Sequence, residues 1–149
     1  MPSVEVGDDF MHAVVHFSDR GITGVDLHRG RPRPTGRDPF GGVGFIEAFF
    51  GGDDAPLPKI DISFSDFRER VYSRLVEVPY GETITYGELA RRVGSAPRAI
   101  GQAMAGNPVP IIYPCHRIVG CNGPGGFGND VPMKVYMIDL ERRNVVKRT

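Results

Sequence analysis

"TYGELARRVGSAPRAIGQAMAGNP", Thr85 to Pro108, decides how the second half of this 149-residue chain folds. Thr85 followed three residues later by Glu88 is a capping-box pattern, and it opens a helix whose apolar face is Leu89, Ala90 and Val93. Gly94 is placed to stop that helix. A second helix starts with Ser95 and Pro97, carries Ile100 and Met104 at helical spacing, and ends at Gly106-Asn107-Pro108. Two short helices around a glycine turn predict a helix-turn-helix. The second helix has an unusual surface: Ala96, Ala99, Gly101, Ala103 and Ala105 are small, and Arg98 is its only charge. Helices that read the major groove carry several polar side chains that reach base edges. A small-residue helix with one arginine suits close backbone approach to a narrower groove, or tight packing against another helix. The pattern alone leaves both open.

Upstream, Phe67, Val71, Leu75 and Val78 recur at four, four and three residues, one apolar stripe. Asp66 with Glu69 predicts its N-terminal cap, and Pro79 its stop. Earlier still, "MHAVVHFSDRGITGVDLH" (Met11–His28) reads as two strands around a turn at Ser18-Asp19-Arg20-Gly21. "RGRPRPTGRDPFGG" is a loop, "FIEAFFGG" a short helix closed by glycine, and "IDISF" (Ile60–Phe64) a short strand. The chain is therefore expected to divide into a small α/β N-terminal lobe, residues 1–61, with an antiparallel sheet plus helix, and a mainly α C-terminal lobe, residues 62–149. No catalytic pattern falls in the first lobe.

Downstream lies "YPCHRIV" (Tyr113–Val119), where one of only two cysteines stands beside a histidine. A free thiol has a pKa of about 8.5, so little of it is thiolate at neutral pH without a base or cation nearby. His116 is the candidate base for Cys115. Neighbours in an extended segment point opposite ways, so a bridging water would carry the proton. A last helix follows Asp130-Val131-Pro132 with Met133, Tyr136, Met137 and Leu140 on its apolar side. Glu141 lies near its expected end, where a carboxylate opposes the helix dipole, and such an acid suits a specific partner such as the far nitrogen of His116. Metal binding has little support: no second Cys/His pair stands at ligand spacing, and His12, His16 and His28 fall in strand or loop settings.

Formal net charge is zero, but residues 1–61 hold six basic against ten acidic side chains, and the remainder twelve against eight. A polyanion partner would meet the C-terminal part. Two cysteines six positions apart make no secreted disulfide framework. No run has the length of a membrane span, and no basic-then-apolar leader is present, so a soluble, cytoplasmic protein is expected, nuclear if the source is eukaryotic.

"GNPVPIIYPCHRIVGCNG", preceded by "PYGETITYGELARRVGSAPRAIGQAM", closely resembles the O6-alkylguanine-DNA alkyltransferases over roughly Phe67 to Glu141. The resemblance implies a one-shot DNA repair reaction without a cofactor: Cys115 takes the alkyl group from O6 of guanine in duplex DNA and keeps it as a thioether. It further implies that His116, through water, and Glu141 activate the thiol, and that Asn107 ties the active-site loop to the helix-turn-helix. Tyr86 corresponds to the tyrosine that protonates the departing guanine and crowds the DNA backbone. Arg98 corresponds to the arginine that enters the duplex when the nucleotide is flipped, with Pro97, Ala99 and Gly101 beside it on a minor-groove helix. Met104, Pro110, Phe127, Gly128 and Asn129 resemble the walls of the alkyl-base pocket. A monomer acting on double-stranded DNA, with no membrane partner, is expected.

The sequence also departs from that pattern. The loop after the cysteine is a residue shorter than usual, Phe127 stands where many members have tyrosine, and the first lobe has no cysteine, so no structural zinc is expected. Three rival readings are a lesion-binding relative that repairs nothing, a regulatory DNA-binding module, and a thiol hydrolase built on Cys115 and His116. The first normally replaces the nucleophile, which Cys115 argues against. The second has no room for a further domain, and the third rests on the pair alone.

Overall fold

The structure, a computed structural model, describes residues 2–33, 36–126 and 130–148. The chain forms two compact units, Met1–Ser63 with Pro108–Ile112, and Phe64–Asn107 with Tyr113–Thr149.

In the first unit, β1 (Ser3–Gly7), β2 (Met11–Phe17) and β3 (Ile22–Arg29) form an antiparallel sheet in that order. Alternation decides its faces. Val4 pairs with Val15 and Val6 with Ala13, all buried, while His12 opposes His28 on the other face. Helix α1 (Gly42–Gly51) buries Val43, Ile46 and Phe49. Asp38 begins it by accepting hydrogen bonds from the backbone N–H groups of Phe40, Gly42 and Val43 at 2.7–3.0 Å. Two readings change here. "SVEVG" (Ser3–Gly7), outside the strands that the sequence predicts, forms the edge of the sheet, and "IDISF" is no strand. Only Ile60 pairs, in a single bridge to Ile22. The chain enters this bridge through Lys59, whose carbonyl accepts from the Ile22 N–H, and then turns away toward the next helix.

The second unit contains α2 (Asp66–Leu75), β4 (Ile84–Thr85), α3 (Tyr86–Val93), α4 (Pro97–Ala105), a 3-10 turn (Cys115–Arg117), β5 (Ile118–Val119) and α5 (Val131–Arg148). Strands β4 and β5 are parallel, pairing Ile84 with Ile118 and Thr85 with Val119. They fix the start of α3 beside the segment that follows the cysteine. The core joins Val71 and Leu75 of α2 to Leu89 of α3, Ile100 and Met104 of α4, and Cys115 and Ile118. No helix among the described residues is long and apolar enough to cross a membrane.

The helix-turn-helix forms as its sequence suggests. Thr85 Oγ1 accepts from the Glu88 N–H at 3.1 Å, and Gly94 closes α3 at φ 73°. The flanking caps differ from expectation. Ser65, not Asp66, caps α2, its hydroxyl accepting from Arg68 N–H at 3.2 Å, and Asp66 occupies the first helical position. Helix α2 ends at Leu75 rather than continuing to Pro79, although Val78 is still buried in the turn that follows. Helix α4 begins after Ala96, which offers no side-chain acceptor.

Candidate active site

Cys115 opens a 3-10 turn and is almost fully buried. This differs from the extended segment expected: Pro114 precedes the turn, and Arg117 N–H bonds back to the Pro114 carbonyl at 3.0 Å. The backbone N–H groups of Cys115 and His116 and the side-chain amide of Asn107 hydrogen-bond to the cysteine. Burial nevertheless pushes the Cys115 thiol up from its ordinary value, against those donors and the charge of Lys134. At rest it carries its proton. A reaction through sulfur therefore needs a base.

The adjacent His116 is a candidate for one. It is completely buried, and its Nε2 lies 2.6 Å from Glu141 Oε2. Burial keeps the imidazole pKa below its usual value despite the opposing pull of Glu141, so the ring is neutral. Glu141 also accepts from Arg117 Nε at 3.0 Å, from Arg117 Nη2 at 2.8 Å and, at 2.8 Å, from the Gly81 N–H. Burial alone would raise this acid, but the His116 and Arg117 donors hold its pKa down at about 2. An ionised carboxylate can only accept, so Nε2 of the neutral ring carries the hydrogen and Nδ1 is left with the basic lone pair.

Glu141 is not near the end of its helix. Helix α5 runs on to Arg148, burying Asn144, whose Nδ2 donates to Tyr80 Oη at 2.9 Å. The helix dipole plays no part at this interior position, and three specific donors hold the acid instead. Asp130 Oδ1 starts the helix by accepting from the Met133 N–H at 3.0 Å.

Asn107 does tie two segments together: its Nδ2 donates to the Tyr113 carbonyl at 2.8 Å, which brackets residues 108–112. Tyr86, the first residue of α3, is within electrostatic reach of Cys115, and burial raises its phenol pKa, followed by the effect of the cysteine. Met104 is buried in the same core as Cys115. Pro110 belongs to the segment grouped with the first unit. Phe127, Gly128 and Asn129 lie outside the described residues.

Helix α4 carries the remaining candidates on an open surface. Pro97 occupies its first turn and Arg98 follows, exposed and without an ion pair among the described residues. A cation there opposes the helix dipole. Ala99 is partly exposed, and a methyl group added at Gly101 would meet no atom within 4 Å.

Sequence reasoning left Arg117 without a role and missed Lys134 altogether. Lys134 is 1 % exposed; its Nζ donates to the carbonyls of Ile118 and Gly126 and lies 3.4 Å from Tyr86 Oη. Burial lowers its pKa to about 8, against an opposing effect of Cys115. One signal was available: Lys134 stands seven residues before Glu141, on the same face of α5.

The sequence profile described as "6-O-methylguanine DNA methyltransferase, DNA binding domain" matches residues 66–143. Relatives named methylated-DNA--protein-cysteine methyltransferase include one from Mycobacterium leprae, 38% identical over 108 residues, covering 70% of this chain and 66% of the relative. Another, from Metallosphaera sedula, is 42% identical over 89 residues, covering 60% of this chain and 55% of the relative. The chain thus spans just under two thirds of the first relative's length and about half of the second's. Among solved structures, Mycobacterium tuberculosis OGT in complex with DNA superposes with a TM-score of 0.78 at 30% identity, covering 95% of this chain and 93% of that one. The O6-methylguanine-DNA methyltransferase of Pyrococcus kodakaraensis KOD1 gives 0.76 at 26% identity, covering 94% and 96%.

Proposed function

The chain belongs to the 6-O-methylguanine DNA methyltransferase family, and from that premise we propose that it repairs O6-alkylguanine in duplex DNA by moving the alkyl group irreversibly to its own Cys115. The observation that carries this reading is the buried thiol followed by a neutral histidine whose Nε2–H is given to an ionised carboxylate. Cys115 Sγ attacks the carbon on O6. The S–C bond forms as the C–O6 bond breaks, and the released electron pair stays on the base. The thiol proton passes through a water to His116 Nδ1, and the imidazolium forms against Glu141. Tyr86 gives its hydroxyl proton to the departing guanine. An alkyl thioether has no leaving group that these residues could expel, so each chain acts once.

Reaching the alkyl carbon requires the nucleotide to leave the stack, at a cost of a few kcal/mol. Arg98 fills the vacated space from the minor groove, and the small side chains of α4 let the helix backbone approach closely. Exposed Arg98 and the open flank of Gly101 support this use of the helix. The protein works as a monomer on double-stranded DNA.

Intact-mass measurement after mixing with duplex that contains one O6-methylguanine tests the proposal. One added methyl per chain, mapped to Cys115 and abolished in Cys115→Ser, is expected. Tight lesion binding with no change of mass would overturn it. Arg98→Ala should slow repair of duplex at least about tenfold more than reaction with free O6-benzylguanine, since only the duplex needs extrusion. Equal losses on both substrates would remove Arg98 from the flipping step.

A further inference from the structure

We propose that Tyr72 is a positioning residue for duplex repair: its hydroxyl fixes the last turn of α4 to its ring, and its ring carries that register to the segment that holds Cys115. The inference rests on the alkyl-transfer reading above. The end of α4 offers the hydroxyl an acceptor. Asn107 N–H turns to the Met104 carbonyl at 3.2 Å, the bond of a 3-10 turn, and the Ala103 carbonyl takes the Tyr72 hydroxyl at 2.8 Å. Burial raises the phenol's pKa, so it keeps its hydrogen and donates it. The phenol oxygen accepts from Arg68 Nη1 at 3.0 Å, and the same nitrogen donates to the Gly106 carbonyl at 3.1 Å. A Cβ built on Gly106 would fall 2.6 Å from Arg68 Nη1, so this glycine leaves the guanidinium its place. Two carbonyls at the end of α4 thus rest on two neighbouring side chains of α2.

The ring of Tyr72 stacks on that of Tyr113, with centroids 5.0 Å apart and planes 27° from parallel. Phe64 packs against both rings, at 5.1 and 6.0 Å. Tyr113 stands two residues before Cys115, and its carbonyl accepts from the Cys115 N–H at 2.8 Å and from Asn107 Nδ2 at 2.8 Å. Tyr72 is buried in the same core as Cys115. A phenylalanine would fill that core and keep the stack. The hydroxyl adds what filling does not require: it ties the ring to the helix that docks on DNA, so a shift of α4 is passed to Tyr113 and on to the thiol. A displacement of about 1 Å at a reacting centre costs on the order of 10²-fold in rate, so this register decides how fast a docked lesion reacts.

The test measures alkylation of Cys115 by two reagents, duplex with one O6-methylguanine, which needs α4 docked, and iodoacetamide without DNA, which does not. Methyl uptake from duplex by the wild type is the first readout; its absence would sink the alkyl-transfer reading itself, before any variant is made. Given uptake, Tyr72→Phe should lower the single-turnover rate constant at saturating duplex at least about fivefold, the worth of one buried hydrogen bond. The half-saturating duplex concentration should stay unchanged, and the iodoacetamide rate should move less than about twofold. Equal slowing with both reagents would make the hydroxyl merely structural and overturns the proposal. An unchanged duplex rate constant, or a loss confined to the half-saturating concentration, overturns it too. Tyr113→Leu removes the other ring of the stack and should give the same split, so it carries the test should Tyr72→Phe not fold. In that background Tyr72→Phe should slow the duplex reaction by less than about twofold, because the path is already cut. A full, independent loss there overturns the proposal equally.

Discussion

Glu141 and Lys134 lie on one face of one helix, and each is 1 % exposed, yet they stand in opposite relation to the fold. The surroundings of Glu141 favour its charge. Its pKa falls from 4.5 to about 2, which corresponds to about 3 kcal/mol of native-state stabilisation. The surroundings of Lys134 disfavour its charge. A fall from 10.5 to about 8 is a cost of similar size, about 3 kcal/mol. Hydrogen bonds to the carbonyls of Ile118 and Gly126 offset most of it. Stability accounts for the charge of the acid, and it does not account for the charge of the lysine.

The largest expected effect comes from removing the favoured charge. Glu141→Ala leaves Arg117, His116 and the Gly81 N–H facing an empty space, and should lower unfolding free energy by about 3–5 kcal/mol in urea titrations. A loss under about 1 kcal/mol would mean that the carboxylate is not the hub its hydrogen bonds describe.

Next comes pH. Glu141 has a depressed native pKa, so its contribution is complete above about 4.5 and lost as pH falls toward about 2. The stability gap between wild type and Glu141→Gln should close by about 3 kcal/mol over that window. Lys134 is also depressed, but from above. Between about 8 and 10.5 the unfolded chain keeps a proton that the native chain has released, so the wild type should gain about 3 kcal/mol on Lys134→Met as pH rises. A constant gap in either comparison removes that half of the contrast.

At neutral pH Lys134→Met should change stability by no more than about 1 kcal/mol, since the relieved desolvation and the lost hydrogen bonds nearly cancel. Thermal unfolding measures this, and a loss of several kcal/mol would make Lys134 as structural as Glu141. Gly101 extends the same logic to a surface. An added methyl meets nothing there, so Gly101→Ala should stabilise the free protein by about 0.5–1 kcal/mol. Repair of duplex should fall at the same time. Unchanged repair would show that the glycine is not kept for close approach to DNA.

The same division separates what the sequence made legible from what it hid. Thr85, Glu88, Gly94 and Pro97 act within a turn of their own positions, so the helix-turn-helix could be read from local chemistry. Cys115 and His116 were visible as neighbours, and Glu141 as an acid set against the expected helix dipole and suited to the far nitrogen of His116. Glu141 stands well inside its helix rather than near its end: Arg142 and Arg143 follow it at once and suggest a solvated end, whereas Asn144 is held by Tyr80 and the helix continues to Arg148. The edge strand "SVEVG" is five residues long and rests on pairing with β2, which a single segment cannot announce. In "IDISF" the alternation was present but only Ile60 found a partner. Lys134 was hidden for a different reason. A lysine in a helix ordinarily marks the solvent face, and its three acceptors come from β5, the loop after it and α3.

The hydrogen bond from Asn107 to the Tyr113 carbonyl closes the neck of a five-residue excursion that is counted with the first unit. There the Pro108 carbonyl accepts from the Val25 N–H at 2.9 Å, and Ile111 adopts φ 73°, a conformation costly for a β-branched residue. The consequence concerns dissection of the gene. A cut after Ser63 yields an N-terminal fragment whose Val25 has lost its acceptor, and a C-terminal fragment that carries a strained loop evicted from its own core. No single break releases either unit whole. Cys115 lies two residues beyond the neck, so any fragment that carries this thiol with Asn107 also carries a piece of the first unit.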